Sequence, residues 1–558
     1  MSARRDGREG PVRLRLGRNL ARRLVLPALM LLTLAVTIPL DNDYGLTYDE
    51  GWYTRAAQLA RMWFGLLATD PGYALSDATI AEYWPMGDHQ PGTMKVAGAL
   101  TSAALSFLPG TAPLRAATGL VLCIGIAAVY AYARRAFGQA EAVFACLALL
   151  TMPRVFAHTH LLTQDVPVMS LSFATLYLAW RAGRTGKWRL VILCGICFGA
   201  AAGAKVNGFF VAVILLLVAP ICIVSQSGWR QAFDRQRQRE ALVNVAKVAA
   251  SLAVLGPIVF VLLWPPLWHH TWARVRDDYL LFHLRHYRVS TCYFGKEYPP
   301  PGQEGPPAPW HYPFVMTAVT TPMPTLLLAL LGMGWSWRLV RKLNLPTLLL
   351  LIGLAVNFAF SALPSSPKYN GVRLFLPVFP FLAVFAGRGF RRLVSLLTSR
   401  LIDQPQRLRT LCYLTAGALV LGPCVRVVAA YHPYELSYYN ELLGGTKGAV
   451  AHGMPATYWG EPVYEAFRYV TEKAPAGTSI WVAPPGMVSI VRMYCPPGYQ
   501  VVDTPSPPIG STYAVFAMKP NEIQYEGCQS LLTQVRIGLA QPDYTVETVG
   551  GVPLAYVF

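Results

Sequence analysis

Thr47-Tyr48-Asp49-Glu50-Gly51-Trp52-Tyr53 sets two adjacent carboxylates directly after an apolar run, residues 24–40, and at the head of an amphipathic segment, residues 54–64. A run of that length without charge reads as a membrane span. Asp49 and Glu50 then stand just outside the bilayer, at the height of the lipid headgroups. An acid in that place suits a general base that meets a lipid-linked substrate at the membrane surface. Neighbouring positions on a helix point about 100° apart, so the two carboxylates are expected to have separate jobs. One accepts a proton and the other holds the loop or a cation. The plainer reading is a pair of acids favourable to the macrodipole at a helix N-terminus.

Outward from that stretch, the composition agrees with a membrane chain. Of 558 residues, 54% are hydrophobic and 14% charged, against about 25% charged in soluble proteins. The formal net charge is +19. Most Lys and Arg stand in short clusters between apolar runs, which is the pattern of cytoplasmic loops. No basic stripe with interleaved aromatics marks a nucleic-acid surface. Residues 1–23 form a basic cytoplasmic arm. Eleven spans follow, at about 24–40, 114–132, 140–155, 166–180, 190–204, 209–224, 243–264, 314–335, 345–363, 374–385 and 411–430. With that count every inner loop carries the basic excess. Residues 95–108 are apolar but short for a span, so the outer loop 41–113 is expected to carry interfacial helices.

Beyond residue 430 the long apolar runs stop. Strand-like 479–483, 499–502, 513–517 and 554–557 alternate with helix-like 463–472 and 531–537. Residues 431–558 are therefore expected to be a small extracytoplasmic α/β domain following a transmembrane catalytic domain at 24–430. The cysteines show no metal-type spacing, and most read as small core residues. Cys495 and Cys528 are placed where a disulfide is chemically permitted.

Several other polar residues stand at the expected outer margin. Lys205 and Asn207 lie between two spans, and Arg373 opens the tenth. Cations there run against the positive-inside bias, and a phosphate at that depth accounts for both. Ordinary interfacial anchoring is the simpler alternative. His89, His158, His160, Asp165 and the His269-His270 pair lie in outer loops, but their mixed types and irregular spacing favour solvated or hydrogen-bonded histidines over a metal centre. Asp165 is also placed to cap its helix. Trp264-Pro265-Pro266-Leu267-Trp268 and Trp310-His311-Tyr312-Pro313 look like an aromatic belt.

Taken in order, these pieces resemble the GT-C glycosyltransferases of the protein O-mannosyltransferase and aminoarabinose transferase-like family, as a bacterial member. The matching motifs are Tyr48-Asp49-Glu50, His89-Gln90-Pro91, Thr163-Gln164-Asp165-Val166-Pro167 and Gly203-Ala204-Lys205-Val206-Asn207-Gly208. Thr321-Pro322-Met323-Pro324, Lys368-Tyr369-Asn370-Gly371-Val372-Arg373 and His432-Pro433-Tyr434-Glu435-Leu436-Ser437-Tyr438-Tyr439-Asn440 follow. The resemblance implies a multi-pass plasma-membrane enzyme with a polyprenyl-phosphate-linked sugar as donor. The acceptor is a glycan, lipid or protein hydroxyl on the extracytoplasmic side.

It further implies that Asp49 is the catalytic base with Glu50 beside it, and that Lys205 and Arg373 face the donor phosphate. His89, Asp165, Asn207 and Tyr369 are candidate substrate contacts. No cofactor is required; a divalent metal that orders the loop stays open as an alternative, without support from any ligand spacing, and no metal ligand set is assigned. Two departures stand out: His89-Gln90-Pro91 replaces the family's His-Pro-Pro, and the C-terminal region lacks the look of a sugar-binding β-trefoil. The rival classes are a secondary transporter, which would place polar groups at the midplane, and a scaffold, which would have no use for Asp49.

Overall fold

A computed structural model describes residues 10–86, 90–227, 235–285, 289–399, 406–502, 504, 513–518 and 526–558. His89 lies outside the described residues. The architecture is a bundle of apolar helices with a small α/β domain at one end. All eleven expected spans are helical. Among the described residues, eight helices are long and apolar enough to cross a membrane, or nine if the bent pair Gln139–Leu150 and Pro153–Thr159 counts as one. The remainder depart for physical reasons. Trp188–Ala202 is short. Asp165–Thr185 is less apolar, and its residues up to Gly183 are almost all buried inside the bundle.

Burial separates central from peripheral helices. In Arg373–Leu397, 94% of the apolar window is inside the fold, against 11% in Leu408–Tyr431. The central helix Phe379–Leu397 crosses Met323–Val340 with two glycines at the contact. A Cβ on Gly389 would lie 1.9 Å from the Leu328 carbonyl oxygen, and one on Gly332 would lie 1.9 Å from that of Phe385. Small residues at such crossings let backbones approach closely, which drives helix packing where lipid competes for apolar contacts.

Prolines break the spans near the Asp49 end. Met152-Pro153 turns the chain by 73°. Thr321-Pro322 separates Tyr312–Thr320 from Met323–Val340. The carbonyls freed there are taken up by Asn440, whose Nδ2 donates to Ala318 and Thr321 oxygens at 2.7 Å each. Broken helices persist in membranes only where such partners exist.

Helix Glu50–Thr69 packs on Thr93–Ala104, the short apolar run, which is not a span. In the C-terminal domain β3 (Ser479–Ala483) pairs in parallel with β4 (Gln500–Val502) and β5 (Tyr513–Ala517). Antiparallel β7 (Val552–Val557) and β6 (Tyr544–Thr548) complete the order β4-β3-β5-β7-β6. Helix Val463–Lys473 covers one face of the sheet, with Phe467, Ile480, Val515 and Leu554 in the core between them. The other face packs Trp481 and Phe516 against Cys528 and Leu532. Strand β6 and helix Val488–Tyr494 were not expected from sequence, nor was the hairpin of β1 (Thr291–Tyr293) and β2 (Lys296–Tyr298).

Three other expectations change. Trp264 is not a lipid-facing belt residue. It is buried among Phe260, Leu267 and Tyr279 because the Pro265-Pro266 turn folds back on the bundle. Cys495 and Cys528 are not joined in a disulfide, and the second is buried in the sheet core. His158 is fully buried rather than solvated, since Ala157 and Leu161 beside it pack under Leu436, Tyr458 and Trp459. His160 is buried as well but takes the hydrogen-bonded form that was expected, its Nδ1 2.8 Å from the Phe156 carbonyl oxygen.

Candidate active site

Asp49 ends the loop after the first span and is the residue from which helix Glu50–Thr69 starts, with Tyr53 N–H bonded to its carbonyl at 3.3 Å. Its side chain stays 29% exposed, and Oδ2 accepts from Arg373 Nη2 at 2.5 Å. Arg373 opens the 3-10 turn Arg373–Val378 that leads into the central helix. Its Nε lies 3.5 Å from Asp165 Oδ2, and Asp165 Oδ1 receives Lys205 Nζ at 2.5 Å. Two carboxylates and two cations thus form a chain across four segments that are remote in sequence. Asp165 does not cap its helix. It occupies the first helical position, and its carboxylate is spent on the two cations. Burial pulls the Lys205 ammonium below its ordinary value, against the opposing pull of Asp165.

The group faces a cavity of 1040 Å³, on which Asp49, Lys205, Asn207, Tyr369 and Arg373 all open. Asn207 Nδ2 donates to the Leu374 carbonyl at 2.5 Å, tying the Lys205 corner to the Arg373 turn. Sequence reasoning placed these five together, and the structure brings them together. Lys368, in the same motif, is apart. Its amine is buried and donates to the carbonyls of Leu363 (2.6 Å) and Ser366 (3.2 Å), and burial lowers it to about 8.

Glu50, expected beside Asp49 in the chemistry, points away from the cavity. Arg115 holds it in a two-pronged pair, Nε to Oε1 and Nη2 to Oε2, each 2.7 Å. Leu162 N–H adds a bond at 2.7 Å. Arg115 also donates to the Tyr44 carbonyl at 2.9 Å and to those of Asp41 and Gly45. Glu50 is therefore a positioning residue that fixes the Asp49 loop, the second of the two jobs expected for the pair. Arg115 was missed, although the signal existed: it is a cation at the mouth of the second span, like Lys205 and Arg373. Among the described residues, no three His, Cys, Asp or Glu side chains are grouped to hold a metal ion.

With this geometry in view, one similarity bears on kinship. Residues 107–264 match the family of dolichyl-phosphate-mannose-protein mannosyltransferases. The matched stretch contains Arg115, Asp165, Lys205 and Asn207, and it bears out the glycosyltransferase relationship read from the motifs. Among solved structures, the chain is similar to ArnT from Cupriavidus metallidurans bound to undecaprenyl phosphate. That likeness covers 96% of this chain and 97% of the other, with 16% identity and a TM-score of 0.45. It is also similar to the archaeal oligosaccharyltransferase AglB from Archaeoglobus fulgidus, in complex with an inhibitory peptide and a dolichol-phosphate. Here 90% of this chain and 70% of that one are covered, with 12% identity and a TM-score of 0.49. No curated protein matches significantly.

Proposed function

We propose that the chain transfers a sugar from a polyprenyl-phosphate donor to an acceptor hydroxyl, at the extracytoplasmic face of a bacterial plasma membrane. The carrying observation is the Asp49–Arg373 contact beside Lys205, the three side chains lining one cavity at the end of an apolar bundle, with buried Asp165 behind the two cations. The donor phosphate takes Lys205 and Arg373 as its cations. Drawing Arg373 onto the phosphate frees the Asp49 oxygen that it holds. The acceptor oxygen then attacks the anomeric carbon, and Asp49 takes its proton. The bond from that carbon to the phosphate oxygen breaks, and the phosphate leaves with the electron pair. In-line displacement inverts the anomeric centre. A well-placed donor in a dry site is worth roughly 3–4 kcal/mol to the developing charge. General-base assistance adds roughly 10²–10⁴-fold. This scheme requires no metal or cofactor.

The division into a basic arm at 1–23, a membrane catalytic unit at 24–430 and an α/β domain at 431–558 is part of the same reading. The acceptor is a glycan, lipid or protein. Complementation of a deletion strain tests the proposal. Mass spectrometry of envelope glycans and glycolipids should show a missing sugar restored by the wild-type chain and not by Asp49→Asn. Restoration by Asp49→Asn would refute Asp49 as base.

A further inference from the structure

The final helix of the bundle, Gln406–Tyr431, is followed by a stretch that runs back beneath the site before the sheet domain begins. Its Trp459 is fully buried, and its ring lies 4.3 Å from the Arg373 guanidinium carbon. A second neighbour of that indole is His158, at 5.2 Å between ring centres. The Trp459 N–H makes no hydrogen bond among the described residues, so the ring acts through its face. The same short segment also grips the Asp49 loop. Trp459 carbonyl oxygen accepts from Tyr48 N–H at 2.9 Å. Gly45 packs so tightly on it that a Cβ there would lie 2.3 Å from the Glu461 oxygen. Tyr458 lies under Gly371, two residues before Arg373, its ring 2.8 Å from where a Cβ would stand.

We propose that residues 457–461 are a positioning element for sugar-phosphate chemistry, with Trp459 holding Arg373 by its ring face and Tyr48, next to Asp49, by its carbonyl. This rests on the assignment of Arg373 to the donor phosphate and adds the group that aims it. A guanidinium that serves in turn a carboxylate and a phosphate needs a support that does not compete for its N–H donors. An aromatic face provides this, attracting the cation while leaving its edges open.

The test uses the full chain in lipid nanodiscs with undecaprenyl phosphate as the probe. Replacing Trp459 by mono-, di- and trifluorotryptophan drains the ring's negative face while keeping its shape, so folding is preserved. Binding is expected to weaken step by step, to about tenfold at the end of the series. In an Arg373→Ala background the series should go flat, because a residue that acts through another loses its effect when that one is gone. Leu532→Ala, in the core on the other face of the sheet, should leave binding unchanged. A flat fluorine series in the Arg373 protein, or an equal slope in both backgrounds, overturns the inference and leaves the phosphate assignment standing. Unchanged binding by Arg373→Ala itself refutes the assignment and the inference with it.

Discussion

Asp49 and Glu50 are neighbours in sequence with opposite fates, and the difference is one of partners. Asp49 keeps an exposed edge and shares a cation that a ligand can claim. Glu50 is sealed against Arg115, where both charges depend on each other. Breaking a buried pair from one side leaves an uncompensated charge, costing about 3–5 kcal/mol. Glu50→Gln is therefore expected to lower the thermal midpoint of the purified protein sharply, while Asp49→Asn keeps that midpoint and still binds undecaprenyl phosphate. Lys205→Ala should weaken donor binding at least tenfold, from loss of a charge-assisted contact. Lys205→Arg should recover part of that, since a guanidinium keeps charge but not the compact geometry that Asp165 receives. Titration of each variant with the lipid phosphate reads the difference. Cations out of place against the positive-inside pattern were legible from sequence as candidates, and Lys205 and Arg373 do share one cavity. Trp459 was not, because an indole between two polar stretches carries no mark of the arginine it will meet.

At the level of helices, the sequence showed where the apolar runs lie but not which were broken or central. Prolines at 153 and 322 mark the breaks. What compensates the second break, Asn440, comes from another part of the chain, so no local pattern announces it. Centrality depends on small residues meeting across helices. At the Gly332 and Gly389 crossing a side chain would have to push the opposing backbone away. Gly389→Val is expected to destabilise by at least the 1–3 kcal/mol of an overpacked core. Because the turn that leads into this helix carries Arg373, the variant should also weaken lipid-phosphate binding. Thermal unfolding and binding on one preparation would check both. Gly334→Val, on the same partner helix with open space before its Cβ, is the matched control.

Across the whole molecule, the α/β domain is joined to the bundle through the loop that carries Asp49. Leu46 and Tyr48 belong to the core that helix Val463–Lys473 and the sheet enclose. Gly51 stands under Met493, whose sulfur would be 2.9 Å from a Cβ there. Four expected strands of the domain were right because alternation is a local signal. This docking was unreadable, since it joins residues more than 400 apart. Inside the joint, burial raises the Glu461 carboxyl from 4.5 to about 7, against the opposing bond from Thr457. A raised acid favours the folded state below its ordinary value, and that advantage is lost as pH rises through the folded one. Relative to Glu461→Gln, the wild-type thermal midpoint should therefore fall progressively between pH 4.5 and 7, then run parallel above it. Orientation in the membrane has its own check. In intact cells a membrane-impermeant maleimide should label Cys495, which is partly exposed and lies in the domain expected outside.

The order in which the parts of the site emerge also matters. Asp49, Asp165, Lys205 and Arg373 are all synthesised before Trp459, which follows the last helix. A nascent or prematurely terminated chain would thus insert its helices while its arginine still lacks support. Ribosomal products that stop at residue 455 are expected to reach the membrane yet to bind undecaprenyl phosphate weakly. Unfinished copies would then be quiet by construction and would not sequester a scarce carrier lipid.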